Sequence, residues 1–264
     1  MTRLSCVIAS AIAIGTTLAG TTGATPPTAE SSQALPARQV AAEPLRGTVI
    51  ALDPGHQLGN HNFPRQTNAL VPAGGFTKPC NTSGTSTNSG VPEATVNFRL
   101  SRAVKRRLEA LGATVEMTRN VNSEGYWGPC VNVRGEFGKR VGARLMVSLH
   151  ADGAASSARG FHVIVPVKRS PWTTDIYTGS LRLGTELRDA LTARKVPRST
   201  YVGGGTGLDV RSDLGTLNLS DVPVAMIEIG NMRNARDASR MTHRRGRATY
   251  ARAVVAGIRS YLGR

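Results

Sequence analysis

The sequence predicts a single α/β domain with a mixed, mainly parallel twisted sheet flanked by helices on both faces. Short apolar runs rich in β-branched residues alternate along the chain with longer segments whose apolar residues recur at helical spacing. Hydrophobic residues make up 40% of the 264 residues, which is enough for one core. No internal repeat is visible.

The first predicted strand, residues 48–52, ends at the turn-forming tripeptide Asp53-Pro54-Gly55. A second strand, residues 144–149, leads directly into a histidine. Residues 57–90 show neither a helical nor a strand period, and residues 202–207 read as a glycine-rich loop. The remaining predicted strands are residues 113–118, 160–167 and 223–229, and the predicted helices are residues 93–111, 131–143, 178–193 and 245–262.

The formal charge of +16 comes mostly from arginine. Such a charge fits a nucleic-acid surface, an anionic polymer outside the cell, or a general preference for arginine over lysine. The basic residues are scattered through every segment, and no recognisable nucleic-acid motif accompanies them. We therefore expect no nucleic-acid partner and keep anionic polymers as a candidate partner.

The amino terminus predicts secretion. Residues 1–24 combine a short basic start, an apolar stretch and small residues suited to cleavage, which is the pattern of a signal peptide. The apolar stretch is too short and too weakly apolar for a stable membrane anchor. Residues 25–44 form a flexible leader rich in Pro, Ala, Ser and Thr, and residues 45–264 form the folded domain. We expect the mature chain in the periplasm or cell wall.

Two cysteines, Cys80 and Cys130, remain once the signal peptide is removed. An isolated pair in an oxidising compartment most often forms a disulfide, here closing a loop of about fifty residues. A catalytic thiol and a thiolate metal ligand are the alternatives. The disulfide would tether the irregular segment of residues 57–90 to the segment around Cys130.

Two histidines stand at predicted strand ends. His56 follows the first strand and His150 follows the second, so both lie at the sheet edge where α/β proteins bind ligands. Glu93 opens a helix, where a carboxylate is favoured by the helix dipole whether or not it has another role. Two imidazoles and a carboxylate match the ligand set of a catalytic zinc site. His61 is an alternative ligand that this set does not require.

Glu228 is the one charged residue in the apolar run of residues 223–229. A carboxylate buried in a strand is costly unless it is paired, bound to a metal or catalytic. Desolvation would raise its pKa towards the range that suits a general acid or base. His162, on another strand, is expected to point into the core or to make a hydrogen bond.

Four motifs resemble those of the zinc-dependent N-acetylmuramoyl-L-alanine amidases, the type 3 amidase family. They are DPGH, PEATVNFRL, VSLHADG and PVAMIEIGNMRN, and they occur in the family's order between residues 48 and 261. The resemblance implies one zinc ion held by His56, Glu93 and His150, with Glu228 as the catalytic glutamate. It also implies cleavage of the amide between the lactyl group of N-acetylmuramic acid and L-alanine.

The resemblance extends less firmly to substrate contacts. Arg134 matches an arginine before the third motif, and either a substrate contact or a surface salt bridge suits it. Asp152 is a candidate substrate contact, and with Asp53 it is a candidate support for the histidine ligands; both aspartates also suit turns. The segment 57–92 is an extended insertion between the first two ligands.

We expect a monomer that acts on peptidoglycan or muropeptide fragments during cell-wall remodelling or daughter-cell separation. Two alternatives stay open. One is a non-catalytic wall-binding protein that keeps the amidase fold, and the other is a zinc peptidase that cuts within the stem peptide.

Overall fold

A computed structural model describes residues 11–13, 15–20, 23 and 43–264. The chain divides into two units, Met1–Val40 and Ala41–Arg264. The described residues of the first unit carry no helix or strand, and most of the predicted signal peptide and leader lies outside the described residues. Among the described helices, none has both the length and the apolar character needed to cross a bilayer.

The second unit is built on a sheet. Its strands are β1 (Val49–Pro54), β2 (Leu70–Pro72), β3 (Thr77–Pro79), β4 (Thr114–Met117), β5 (Met146–Asp152), β6 (His162–Pro166), β7 (Leu208–Arg211) and β8 (Val224–Asn231). Within residues 43–264, six of them form one sheet in the order β4-β1-β5-β8-β6-β7. The first four are mutually parallel, while β6 runs antiparallel to β8 and parallel to β7. The predicted mixed, mainly parallel sheet is confirmed.

Helices cover both faces unequally. They are α1 (Pro64–Thr67), α2 (Glu93–Glu109), α3 (Val131–Gly135), α4 (Phe137–Arg140), α5 (Tyr177–Ala193), α6 (Gly215–Asn218), α7 (Ala235–Thr242) and α8 (Arg244–Leu262). The long helices α2, α5 and α8 pack on one face and form the larger core. Within residues 43–264, short helices and loops cover the other face, through residues such as Phe137 and Leu217.

Helix α2 shows how the sequence directs this packing. Val96, Leu100, Val104 and Leu108 recur at helical spacing and are buried against the sheet. Burying each such side chain contributes about 2 kcal/mol. The helix ends before Gly112, whose φ of 90° is unfavourable for residues other than glycine.

The irregular segment 57–90 has more local structure than predicted. It contains a 3-10 turn over Leu58–Asn62, helix α1 and the hairpin of β2 and β3. Each of these elements has three to five residues, so none is long enough to establish a sequence period. The segment folds against residues 120–130 and is fixed there by the disulfide between Cys80 and Cys130.

Other boundaries also differ from prediction. The helix predicted over residues 131–143 is two short helices, α3 and α4, because Gly135 and Gly138 weaken it and pack closely against Leu219 and Val222. Strand β7 and helix α7 were not predicted. The strand has four residues at the sheet edge, and the helix is short and begins at an Asn234 cap.

Side-chain alternation along the strands decides where polar residues gather. Ser148 and His150 on β5, and Glu228 on β8, point to the sparsely covered face, while their apolar neighbours point to the larger core. At the carboxyl end of β5 and β8 this face is open, and a cleft of about 250 Å³ forms there. The cleft is lined by His56, His150 and Glu228 among others.

Candidate active site

His56, Glu93 and His150 meet at the carboxyl edge of the sheet. One nitrogen or oxygen from each lies within 4.8 Å of the others. Nε2 of His56 is 3.2 Å from Oε2 of Glu93, and Nδ1 of His150 is 3.1 Å from Oε1. Residues distant in sequence thus form a cluster that could hold a metal ion.

Glu93 is held as an anion. Its carboxylate accepts hydrogen bonds from the backbone amides of Thr85 and Ala151 and from the side chain of Asn97. Burial alone would raise the pKa of Glu93, but the charge of His56 and hydrogen bonds from both imidazoles hold that pKa well below its usual range. A carboxylate that stays ionised when buried is suited to a cation.

His56 is oriented by the segment that follows the disulfide. Nδ1 of His56 donates to the carbonyl of Thr82 at 2.9 Å, which leaves Nε2 facing Glu93. A histidine that binds a metal through one nitrogen commonly donates the other to a carbonyl in this way. Burial alone would lower the pKa of His56, but the Glu93 carboxylate raises it; burial lowers the pKa of His150.

Two buried arginines fix the turn that carries His56. Arg134 donates to the carbonyls of Pro54 at 2.8 Å and His56 at 2.9 Å. Arg119 donates to the carbonyls of Pro54 at 3.0 Å and Gly55 at 3.1 Å. These contacts hold three consecutive carbonyls while His56 adopts an unusual left-handed conformation, with a φ of 58°.

Arg134 makes the salt bridge that one alternative predicted, but the pair is buried and not at the surface. Its partner is Asp53, which also accepts hydrogen bonds from Thr118 and Ser148. Burial opposes ionisation of Asp53, yet the charge of Arg134 lowers the pKa of Asp53 to about 2. Every N–H of Arg134 points at a protein oxygen, on Asp53, Pro54, His56, Gly128 or Pro129. This geometry supports the turn and leaves no donor for a substrate.

Glu228 adjoins this cluster. It lies directly opposite His150 in the register of β5 and β8 and lines the same cleft. Burial first, and then the negative charges of Glu93 and Asp152, raise the pKa of Glu228 well above its ordinary value. A buried carboxyl group whose pKa is raised holds a proton more readily than an exposed one, which suits it to moving a proton in a reaction at the cluster.

The other candidates lie around the cleft or outside it. Asp152 follows His150 on β5 and accepts hydrogen bonds from Tyr201 at 3.1 Å and from the backbone of Gly153 at 2.7 Å, as in a turn. His61 is half exposed, pairs with Glu124 at 3.3 Å and is not part of the cluster. A larger cleft of about 810 Å³ lies at the amino ends of the parallel strands. It is lined by Arg144, Arg182 and Tyr261 but by none of the clustered residues.

Arg119 was not predicted from the sequence as a site residue. Its position immediately after β4, at the same sheet edge as the histidines, was the available signal. Burial, and then the charge of Arg134, lower the pKa of Arg119 to about 9. His162 was expected in the core or in a hydrogen bond; it is buried on β6 beside Glu228.

The family model for N-acetylmuramoyl-L-alanine amidase matches residues 50–260 of this sequence. The chain belongs to this amidase family. A Mycobacterium tuberculosis N-acetylmuramoyl-L-alanine amidase is 38% identical over 239 residues, which cover 89% of this chain and 92% of that protein. All of the clustered residues and Glu228 fall within the matched family region.

Solved amidase structures share the fold. The N-acetylmuramyl-L-alanine amidase of Mycobacterium smegmatis is 37% identical, with a TM-score of 0.77 over 83% of this chain and 98% of that chain. The apo form of the Mycobacterium abscessus amidase is 39% identical, also with a TM-score of 0.77, over 83% of this chain and 100% of that chain. A Nostoc punctiforme amidase, at 20% identity and a TM-score of 0.61 over 82% of this chain and 98% of that chain, shows the same fold.

Proposed function

We propose that this amidase uses one zinc ion and Glu228 to hydrolyse the amide between the lactyl group of N-acetylmuramic acid and L-alanine. The observation that carries the proposal is the position of Glu228, a buried carboxyl with a raised pKa beside a His-Glu-His cluster in one cleft. Membership in the amidase family supports the choice of bond.

The cluster fits zinc. Two imidazoles and one carboxylate are ligands that zinc prefers, and three protein ligands leave a fourth position open for reaction. The hydrogen bond from His56 to Thr82 leaves one nitrogen of that ring available. When bound, zinc supplies a Lewis acid that polarises the amide carbonyl and makes water more acidic.

The residues of the chain then perform the proton transfers. Glu228, ionised before the reaction, takes a proton from the attacking water. Its raised pKa lets it keep that proton until the carbon–nitrogen bond breaks, when it delivers the proton to the amine of L-alanine. Arg119 and Arg134 keep the turn of His56 in place, and Asp152 remains a candidate contact for the substrate at the cleft margin.

Product analysis tests the reaction. N-acetylmuramoyl-L-alanyl-D-isoglutamine is incubated with the zinc-loaded protein, and the products are identified by mass spectrometry. We expect intact N-acetylmuramic acid and an intact dipeptide, and no turnover after chelation. A cut between L-alanine and D-isoglutamine would support a zinc peptidase instead, and the absence of products from the zinc-loaded protein would support the non-catalytic alternative.

A glutamine variant tests the role of Glu228. We expect Glu228→Gln to keep its zinc and lose at least about 100-fold in kcat, because the amide cannot carry the proton. Glu116→Gln, on the exposed side of β4, is the matched control and should keep full activity. Full turnover by zinc-loaded Glu228→Gln would show that another group is the base.

Anionic wall polymers are the second proposed partner. Helix α8 carries five arginines and no acidic residue, and exposed arginines also line α2. This face would attract polyanions in a salt-dependent manner. We expect replacement of Arg244, Arg245 and Arg252 by glutamine to weaken co-sedimentation with walls at low salt. Equal weakening by the same change at Arg194, Lys195 and Arg198 would mean that net charge alone matters.

We also propose that the protein is secreted, because residues 1–24 are predicted to be a signal peptide and the family acts on the cell wall. Amino-terminal sequencing of the mature protein should find a start near residue 25. An intact Met1 on the active cellular form would contradict secretion through this signal. Gel filtration should show the mature chain as a monomer.

A further inference from the structure

Two residues that are paired across neighbouring strands beside the cleft each carry a buried polar atom without a partner in the described part of the chain. Nδ1 of His162 and Oε2 of Glu228 are both buried, and neither has a hydrogen-bond partner among the described residues. His162 on β6 and Glu228 on β8 are directly paired in the antiparallel register. The Cβ atoms of such pairs lie about 5 Å apart on the same face of the sheet.

The strand order gives Glu228 an imidazole on each side. Strand β8 lies between β5 and β6, so Glu228 is opposite His150 on one neighbour and His162 on the other. His150 belongs to the metal cluster, and His162 does not. Glu228 therefore stands between the proposed zinc ligand and a second imidazole for which the proposed mechanism has no role.

The His162 ring is buried and has an aromatic neighbour. Tyr201 lies edge-on to it, with ring centroids 6.2 Å apart, and the Tyr201 hydroxyl donates to Asp152. The charged groups facing the imidazole are Asp152, Asp209 and Arg211. Burial lowers the pKa of His162, so the ring is neutral near pH 7 and has one N–H donor.

A purely space-filling role explains the arrangement poorly. A buried polar atom without a partner costs about 1–3 kcal/mol, which an apolar side chain at position 162 would avoid. Here one paired residue carries an unpartnered atom that can donate, and the other carries an unpartnered atom that can only accept when Glu228 is ionised. Side chains of directly paired residues are close enough to join through a direct hydrogen bond or one bridging water.

We propose that His162 is a positioning residue for Glu228, donating its Nδ1–H to Oε2 and so directing Oε1 into the cleft. The assignment rests on the proposed function, in which Glu228 moves the proton. With Oε2 fixed by a donor, a single carboxylate oxygen is presented to the attacking water and to the leaving nitrogen. Free rotation of the carboxylate would spread it over geometries that do not react.

Two substitutions at position 162 separate positioning from packing. His162→Leu removes the donor, and His162→Gln keeps an amide donor. We expect His162→Leu to lower kcat about tenfold with KM, zinc content and melting temperature near wild type, and His162→Gln to stay within about threefold. Ser101→Ala removes another buried, unpartnered atom in the middle of α2 and should leave kcat unchanged.

The contrary outcomes are equally specific. Wild-type kcat in His162→Leu would overturn the proposal. So would a loss in His162→Leu that accompanies lost zinc or a lower melting temperature, because that loss would be structural. Equal defects in the glutamine and leucine variants would exclude hydrogen-bond donation.

A measurement without turnover keeps this test separate from the amidase assignment. In nitrogen-15 spectra of histidine side chains at fixed pH, we expect His162 to be the Nδ1–H tautomer. Glu228→Gln should shift its ring resonances, and Glu116→Gln should not. Unchanged His162 resonances in Glu228→Gln would overturn the positioning role. If the His162 resonances shift in Glu228→Gln but the wild-type protein cleaves no muramyl amide, only the proposed function would be contradicted.

Discussion

Gly55 lies against the ring of His150 so closely that a Cβ atom on Gly55 would overlap the imidazole. A glycine is therefore required at this position of the DPGH motif, because a larger residue would overlap a histidine nearly a hundred residues later in the chain. Gly84 stands in a similar relation to the cluster, since a Cβ there would lie 2.5 Å from Oε2 of Glu93 and 2.9 Å from the His56 ring. Both glycines let backbone approach the clustered side chains.

We expect Gly55→Ala to displace His150 and to weaken zinc binding by at least about tenfold. Competition with a chromogenic chelator measures this affinity. Gly125→Ala is the control, because a Cβ at Gly125 meets only one atom, at 3.8 Å. Unchanged zinc affinity in Gly55→Ala would mean that the ring moves aside without cost.

Gly84→Ala tests the close contact between the Gly84 backbone and the cluster, and a glycine of the same segment serves as its control. Gly84 and Gly90 lie in the same segment with positive φ values of 76° and 84°, so alanine strains both backbones similarly. Only at Gly84 does the new methyl group meet the cluster, since nothing lies within 4 Å at Gly90. We expect Gly84→Ala to lose zinc affinity and activity, and Gly90→Ala to lose only stability. Equal zinc affinities in the two variants would contradict the packing argument.

The buried pair of Asp53 and Arg134 predicts how stability depends on pH. The pKa of Asp53 falls from 3.8 to about 2 on folding, so its stabilising effect is complete above about pH 5 and is lost as the pH falls through about 2. The shift corresponds to about 2 kcal/mol. Denaturant unfolding between pH 5 and pH 2 should show this loss in the wild type.

The matched variants identify the source of that loss. Asp53→Asn should be destabilised at pH 7 by about 3–5 kcal/mol, because the Arg134 charge stays buried, and should lack this part of the pH dependence. Asp213→Asn removes the carboxylate of a more exposed ion pair with Arg211 and should change little. The same pH dependence in wild type and Asp53→Asn would assign it to other groups.

The disulfide supports both the fold and the cluster. It closes a loop of 50 residues, and Thr82, Gly84 and Thr85, which contact the cluster, follow Cys80 directly. We expect the double variant Cys80→Ser and Cys130→Ser to lose about 4 kcal/mol in free energy of unfolding and some zinc affinity. Equal unfolding curves for the oxidised wild type and the double variant would contradict this expectation.

Local patterns brought out both histidines and Glu228, while Glu93 stood out locally only as a helix start and its role as a ligand came from the resemblance to the amidase family. The apolar runs before His56 and His150, the helix start at Glu93 and the single carboxylate in an apolar strand are all visible in short stretches of sequence. Each depends on interactions within a few residues, or on the rule that parallel strands end at one edge. The mainly parallel sheet followed from the same alternation of strands and helices.

The contacts between distant residues could not be predicted in the same way. Arg119 and Arg134 donate hydrogen bonds to backbone carbonyls, and every residue has a carbonyl, so the sequence does not indicate which ones they contact. The pairing of His162 with Glu228 depends on β6 lying antiparallel beside β8, a strand order that no local period determines. The elements of the 57–90 segment are too short for a period and are held by contacts with residues 120–130.

Anomalous scattering at the zinc edge tests the central claim most directly. Crystals of the zinc-loaded protein should give one strong anomalous peak per chain, within bonding distance of His56, Glu93 and His150 and facing Glu228. A peak located elsewhere, or no peak at full zinc loading in solution, would contradict the assignment of these three side chains as the metal site.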